Sequence, residues 1–190
     1  ADISVATIPV AEREASEFGI LKSGDGLIKS FIEKPKKELL EEWISDTGDD
    51  MKNQGRNYLA SMGIYIFNTK LLYELLRDEY KDATDFGKEI IPNSIDKYKV
   101  ASYQYDGYWT DIGNIYSFFE ANLDLTKEIP LFNLFDNDRN IYTRPRMLPP
   151  AKISGTTLEK TLVAEGSIIH ASRIESSVIG IRSRIGNGST

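Results

Sequence analysis

Three short motifs carry the side chains best suited to chemistry in this chain of 190 residues. In the first, Glu33 and Lys34 close an apolar stretch, and Pro35 then turns the chain away. Successive strand residues point to opposite faces, but at the end of a strand both side chains can reach one pocket. A lysine ammonium suits a phosphate, and a glutamate accepts hydrogen bonds from hydroxyl groups. Taken alone, such a triplet is more often a solvated strand end.

The other two motifs place a carboxylate and a hydroxyl beside glycines. Asp111 stands in the run Tyr108-Trp-Thr-Asp-Ile-Gly113, just before a predicted helix. A carboxylate at a strand-to-helix junction can hold Mg²⁺ or orient a substrate oxygen, and it can equally serve as a turn or capping residue. Ser61 is followed by Gly63, whose missing side chain permits close approach of a ligand or of another backbone segment. Packing is the simpler account of Ser61.

Strands and helices alternate over residues 1–130, a pattern that predicts an α/β domain. The run Ile3–Val10 is apolar on both faces, which is typical of a strand inside a covered, mostly parallel sheet. The turn sequence Gly24-Asp25-Gly26 predicts a hairpin between two strands, and residues 61–67 predict a further buried strand. The predicted helices are residues 36–46, a segment capped by Asn68 or Thr69, a short segment after Asp85 that ends near Pro92, and residues 114–127.

The last forty residues have a different pattern, with small and β-branched residues in a six-residue period. Val163 and Ile169 are six residues apart, and so are Ile179 and Ile185. One aliphatic residue in six fills the narrow core of a parallel β-helix, and small residues allow its corners. Ten residues, rather than twelve, separate Ile169 from Ile179, so a β-rich tail is the alternative. We therefore divide the chain into residues 1–130, a proline-rich connector at 131–150 and a β-helix at 151–190.

Composition excludes several classes of protein. A hydrophobic content of 41% argues against a disordered chain, and no apolar run is long enough to span a bilayer. Because the net charge is −6, we expect no nucleic-acid partner. The absence of cysteine excludes disulfides, thiolate catalysis and cysteine-ligated zinc, and the lone His170 excludes a multi-histidine metal site. With no secretory signal visible, we expect a cytoplasmic protein without membrane partners.

Taken in order along the chain, the motifs resemble those of bacterial glucose-1-phosphate adenylyltransferase, also called ADP-glucose pyrophosphorylase. They are Phe31-Ile-Glu-Lys-Pro35, Ala60-Ser-Met-Gly-Ile-Tyr-Ile-Phe67, Asp85-Phe-Gly-Lys-Glu-Ile-Ile-Pro92, Tyr108-Trp-Thr-Asp-Ile-Gly113 and the hexapeptide repeat. The resemblance implies an α/β fold, with part of a Rossmann-like nucleotide-diphospho-sugar transferase domain followed by the beginning of a left-handed parallel β-helix. It also implies the reaction of ATP with glucose 1-phosphate in glycogen biosynthesis, in an allosteric enzyme that assembles as a homotetramer.

The resemblance assigns roles to particular residues. Lys34 and Asp111 match catalytic residues, and Asp111 matches a carboxylate that shares Mg²⁺, the implied cofactor. The matches to glucose 1-phosphate contacts are Gly19 (through its backbone), Glu33, Lys34 and Ser61. The family's glycine-rich basic nucleotide-binding loop and an upstream metal-site aspartate have no counterpart in residues 1–60. We therefore expect a piece of a longer protein, which is inactive alone and self-associates through uncovered apolar surface.

Several alternatives stay open on the residues alone. The same fold transfers nucleotides to other sugars or uses other bases, and Glu33 and Lys34 do not discriminate among these. A non-catalytic regulatory subunit would keep the fold, although the presence of Lys34 and Asp111 argues against it. A hexapeptide-repeat acyltransferase could use His170, but it would leave the α/β segment unexplained. A kinase is rejected, because Asp85-Phe-Gly87 has no accompanying glycine-rich loop or catalytic-loop motif.

Overall fold

A mixed five-stranded sheet forms the centre of the first of two units in the computed structural model, which describes residues 1–189. The first unit comprises Ala1–Gly107, and the second begins at Tyr108. The strands are β1 (Ile3–Val10), β2 (Gly19–Gly24), β3 (Leu27–Glu33), β4 (Tyr58–Phe67) and β5 (Val100–Gln104). Their order is β1, β4, β2, β3, β5, and β5 pairs with β1 again, so the sheet closes into a barrel. The domain boundaries drawn from the sequence stay a prediction.

The strand β1 lies inside the sheet, as its apolar sequence predicts, because it pairs with β4 on one side and with β5 on the other. The expectation of a mostly parallel sheet is wrong. Among the described strands of this sheet only β1 and β5 are parallel, since the tight hairpin between β2 and β3 forces an antiparallel pair. Asp25 and Gly26 both have positive φ, which confirms the predicted hairpin turn.

Short helices flank this sheet. They are α1 (Glu12–Ala15), a 3₁₀ helix (Lys37–Trp43), α2 (Asp49–Asn53), α3 (Thr69–Glu74) with a π-helical continuation (Leu75–Glu79), and a π-helical turn (Phe86–Ile90) that continues as α4 (Ile91–Ser94). One prediction needs correction. The segment predicted as a helix at 36–46 forms only the shorter 3₁₀ helix. The helix predicted to end near Pro92 continues to Ser94, with Pro92 at the second position of α4.

The apolar core of the first unit holds the π-helical turn and α4 against the sheet. Asn68 caps α3 as predicted, since its side chain accepts hydrogen bonds from the backbone N–H groups of Lys70 and Leu71. The buried core residues are Ile3, Val5, Leu21, Ile28, Leu59, Leu71, Leu75, Ile90, Ile91 and Val100. Because Ile90 and Ile91 belong to this core, the residues that precede them are fixed beside β3 and β4.

The second unit begins with a helix and continues as a β-helix. Asn114 caps α5 (Ile115–Asp124) by accepting a hydrogen bond from the Ser117 N–H at 2.9 Å. The strands that follow are β6 (Lys152–Ile153), β7 (Thr157–Val163), β8 (Ile168–Ile169), β9 (Arg173–Ile179) and β10 (Arg184–Ile185). They stack in parallel as β6, β8 and β10 on one face and as β7 and β9 on another. Within residues 1–189 no helix is long and apolar enough to cross a bilayer.

The register of the β-helix explains its irregular hexapeptide pattern. Lys152 pairs with Ile168 and Ile168 with Arg184, so each coil has 16 residues, two fewer than three hexapeptides would give. The pairing of β7 with β9 is interrupted at Lys160 and Ser176, which have φ values of 45° and 47°. The four aliphatic residues that carry the predicted period all belong to the core of this unit; they are Val163, Ile169, Ile179 and Ile185.

Candidate functional site

The end of the hairpin brings two of the predicted site residues into contact. Gly19 in β2 is paired with Glu33 in β3. A Cβ atom on Gly19 would lie 2.5 Å from Cζ of Phe31 and 2.8 Å from Oε2 of Glu33. A side chain at position 19 would force the ends of the Phe31 and Glu33 side chains to move, so the ring and the carboxylate lie directly over Gly19. The structure therefore favours glycine at position 19 and places the Glu33 carboxylate beside it.

Lys34 adopts an unusual backbone conformation. Its φ is 47°, in the left-handed region, which bulky residues rarely adopt. The following Pro35 disfavours helical conformations of the residue before it, which adds to the strain. The Lys34 N–H donates a hydrogen bond to the Phe18 carbonyl at 3.0 Å, and this fixes the turn. Strained residues of this kind are concentrated at ligand sites. Because Lys34 departs from the extended conformation, the alternation of side chains along β3 ends there.

A bulge in β4 explains the Ser61-Met-Gly63 motif. Val5 is paired with Tyr65 and Thr7 with Ser61, so three residues of β4 lie opposite one residue of β1. Gly63 has a φ of 69°, and its N–H donates a hydrogen bond to the Ser61 hydroxyl at 3.3 Å. The bulge brings the hydroxyl groups of Ser61 and Tyr65 to 3.5 Å. Bulges are common beside functional sites because they redirect side chains, and this one turns Tyr65 toward buried Ser61.

Asp85 is held rigidly at the start of the π-helical turn. Its Oδ1 accepts hydrogen bonds from the N–H groups of Gly87 at 2.8 Å and Lys88 at 3.0 Å. The Lys88 ammonium lies 3.7 Å from Oδ2. The hydrogen bond from the Lys88 backbone is the main reason that the pKa of Asp85 lies below its usual value, so this carboxylate is ionised at neutral pH. Glu89 completes the cap by accepting a hydrogen bond from the Asp85 N–H.

Three oxygen atoms surround one point in front of Gly87. A Cβ atom built on Gly87 would lie 3.4 Å from Oε2 of Glu33, 3.5 Å from Oδ1 of Asp85 and 3.6 Å from Oη of Tyr65. We call Glu33, Tyr65 and Asp85 the oxygen cluster. Burial raises the pKa of Tyr65; the hydrogen bond with Ser61 opposes this, and the charges of Glu33 and Asp85 raise the pKa further. The Tyr65 hydroxyl therefore keeps its proton at neutral pH and can donate it to a hydrogen bond.

Aromatic contacts hold the oxygen cluster in place and leave Glu33 available. The ring of Phe86 stacks on Tyr65 with centroids 6.0 Å apart, and it also contacts Phe67 at 5.6 Å. Within residues 1–189 the Glu33 carboxylate and the Lys34 ammonium make no hydrogen bond or ion pair. Both groups are thus free to bind a ligand.

Asp111 lies in the second unit and has a structural partner there. Its Oδ2 accepts a hydrogen bond from the Gly113 N–H at 3.2 Å, which forms a turn ahead of α5. A Cβ atom on Gly113 would lie only 2.8 Å from that oxygen. The turn role is therefore present. The metal role, and the convergence of Asp111 with Lys34 on one ligand, stay predictions.

The structure was more informative than the sequence about which residues share the first unit's site. It brings together Gly19, Glu33 and Ser61, which were predicted, and Lys34 follows Glu33 directly. It adds Tyr65 and Asp85, which were not predicted as site residues. The available signals were the glycine two residues before Tyr65, which permits a bulge, and the Glu89 capping partner four residues after Asp85.

Comparison with known proteins identifies the families to which the two parts of the chain are similar. Residues 1–128 match the family described as "Nucleotidyl transferase", and residues 146–190 match the "GLGC left-handed parallel beta-helix domain". The chain is 42% identical over 195 residues to "Glucose-1-phosphate adenylyltransferase small subunit, chloroplastic/amyloplastic" of Triticum aestivum. That alignment covers 99% of the chain and 41% of the relative, so the chain spans about two fifths of the relative's length.

These matches confirm the fold class and the family resemblance that the motifs predicted. The α/β unit and the parallel coils after it are the two parts that the matched families describe. The chain therefore belongs to the nucleotidyl transferase family and continues into the start of a GLGC-type left-handed parallel β-helix.

Proposed function

We propose that this chain is the sugar-phosphate-binding part of a glucose-1-phosphate adenylyltransferase, which makes ADP-glucose and pyrophosphate from ATP and glucose 1-phosphate. The main support is the site of the first unit. Gly19 and Ser61 lie beside the oxygen cluster, and its member Glu33 has a carboxylate without a partner within residues 1–189. The 42% identity to a protein of that name supports the choice of sugar and nucleotide.

The proposed reaction needs no covalent bond to the protein. A phosphate oxygen of glucose 1-phosphate attacks the α-phosphorus of ATP and forms a new P–O bond. The bond from the α-phosphorus to the oxygen that bridges to the β-phosphate breaks, and pyrophosphate leaves with that electron pair. Catalysis of such a transfer depends on positioning and on neutralising phosphate charge.

The residues of the first unit have distinct roles in this proposal. Glu33 accepts hydrogen bonds from sugar hydroxyls, and Ser61 contributes a further polar contact. The family resemblance gives the Gly19 backbone a contact with the sugar phosphate, and Gly19 is paired with Glu33 in the sheet. Lys34 neutralises phosphate charge, and a charge pair about 4 Å apart contributes about 4 kcal/mol at an effective dielectric constant of about 20.

Asp111 is the residue that we propose to bind Mg²⁺. Its exposed carboxylate uses Oδ2 in the turn, and a carboxylate oxygen is a suitable ligand for this ion. Among residues 1–189 no group of three or more histidine, cysteine, aspartate or glutamate residues could hold a metal ion. Among residues 1–189 Asp111 would be the protein ligand that we propose, with phosphate oxygens and water among the other ligands, as Mg²⁺ prefers. When bound, the ion would neutralise phosphate charge.

The proposal is tested by kinetics on the full-length protein with a panel of sugar 1-phosphates and nucleoside triphosphates. We expect turnover with glucose 1-phosphate and ATP in the presence of Mg²⁺, and at least tenfold lower kcat/KM for other pairs. Preference for another sugar or base would replace the substrate assignment. Binding of glucose 1-phosphate without turnover of any pair would favour a regulatory subunit. Cytoplasmic location, metabolite regulation and a homotetramer are part of the proposal through the family resemblance.

A further inference from the structure

Gly87 is a buried glycine for which the backbone has no need. Its φ lies outside the left-handed region, so an L-residue can adopt its conformation. The nearest atoms to a Cβ at this position are 3.4 Å away or farther, which is ordinary van der Waals contact. Alanine would therefore fit without displacing any neighbour, and it would stabilise the helical turn more than glycine does. Neither strain nor crowding explains why position 87 has no side chain.

The surroundings of the missing side chain suggest what occupies its place. The three atoms nearest to the Cβ position are all oxygens, those of the oxygen cluster. A methyl group placed there would have three polar atoms as its nearest neighbours. A ligand group beside this position would instead form hydrogen bonds with them.

The hydrogen-bonding capacity of the cluster defines that group. Oδ1 of Asp85 already accepts two backbone N–H groups. Oε2 of Glu33 accepts none within residues 1–189, and Tyr65 has a protonated hydroxyl that can donate. The cluster thus offers one free charged acceptor and one donor. A ligand hydroxyl matches this pair, because it donates one hydrogen bond and accepts another.

We propose that Gly87 is a specificity-determining residue, whose missing side chain leaves room for one hydroxyl group of the hexose between Glu33 and Tyr65. This inference rests on the proposed function, since the ligand is taken to be glucose 1-phosphate. The space beside Gly87 admits the hydroxyl, and Glu33 and Tyr65 select sugars that carry it. Deoxy analogues bind poorly because they would leave the Glu33 carboxylate desolvated and unpaired.

The test is the Gly87→Ala variant of the full-length protein, assayed with glucose 1-phosphate and with its 2-, 3-, 4- and 6-deoxy analogues. Loss of a hydrogen bond to a charged group predicts a KM for glucose 1-phosphate about 10- to 100-fold higher, with kcat little changed. One deoxy analogue should be a correspondingly poor substrate of the wild type and should lose nothing further in the variant. Gly24→Ala is the control, since that glycine also has φ outside the left-handed region and no contact below 3.5 Å.

Stability measurements separate this effect from misfolding. The melting temperature of Gly87→Ala should be unchanged or about 2–4 °C higher, because alanine fits the turn. An unchanged KM, or an equal loss against every deoxy analogue, would overturn the assignment of Gly87 while the proposed function stands. A lower melting temperature with the same loss for all sugars would also overturn it. A wild-type protein that does not turn over glucose 1-phosphate would refute the proposed function and this inference together.

Discussion

Two pairs of carboxylates, one in each unit, differ in what neutralises them. In the β-helix, Glu159 and Glu175 lie opposite each other in the register of β7 and β9, and Arg173 contacts both, at 2.6 and 2.9 Å. In the first unit, Asp85 is satisfied by backbone N–H groups and Lys88, but Glu33 has no partner within residues 1–189. The β-helix pair is complete by itself and is structural. The oxygen cluster has an unpaired carboxylate, and on this observation we propose it as a ligand site.

Among the substitutions that test this contrast, Lys34→Ala should have the largest effect on ligand binding. The Lys34 ammonium has no protein partner within residues 1–189, so its removal should weaken ligand binding without lowering the stability of the fold. We expect the KM for glucose 1-phosphate in the full-length protein to rise by about two to three orders of magnitude, with kcat less affected. Lys36→Ala, an exposed lysine two residues later, is the matched control. An unchanged KM would remove Lys34 from the site.

Glu33→Gln tests the unpaired member of the oxygen cluster. The amide keeps the shape of the side chain but loses the charge, so we expect the KM for glucose 1-phosphate to rise about 10- to 100-fold. Folding stability should not fall, because no protein partner within residues 1–189 loses a hydrogen bond. Steady-state kinetics and urea unfolding provide the two readouts. A variant that binds normally but unfolds at lower urea concentration would show that Glu33 is structural.

The same contrast shows how far sequence reasoning extends. Local sequence patterns predicted β1 from its apolar run, the hairpin from its turn residues and the four core aliphatics of the β-helix from their period, because burial and turn formation depend on neighbouring residues. The oxygen cluster joins residues as distant as Glu33 and Asp85, and its geometry depends on how many residues the bulge before Tyr65 contains. A period in the sequence does not encode that count. In α5 a periodic pattern was present but did not predict burial. Ile115, Phe118 and Phe119 are exposed although they follow a helical period.

Asp85→Asn tests the satisfied member of the oxygen cluster. Asn keeps a capping oxygen but loses the charge, so we expect a loss of about 0.5–1 kcal/mol in unfolding free energy at pH 7. The pKa of Asp85 is lowered in the folded protein, mainly by the Lys88 N–H. The wild-type advantage is therefore complete above the unfolded pKa of about 3.9 and disappears as the pH falls through the folded pKa. Urea unfolding at pH 7 and at successively lower pH measures it; an advantage that does not decline as the pH falls below the unfolded pKa would contradict the assignment.

Arg173→Gln should have the smallest effect of these substitutions, a small loss of folding stability, and it should leave substrate binding unchanged. All three side chains of this network are about half exposed, so solvent screens their attraction, and the loss should be at most about 1 kcal/mol. Because Glu159 and Glu175 then face each other without a cation, part of that loss should return in the Arg173→Gln, Glu175→Gln double variant. The loss should shrink in 1 M salt, where screening is stronger. Unfolding at low and high salt measures both, and the KM for glucose 1-phosphate must stay at its wild-type value. A rise in KM would mean that a fully paired network also serves the ligand, and the rule that unpaired carboxylates mark the site would fail for this protein.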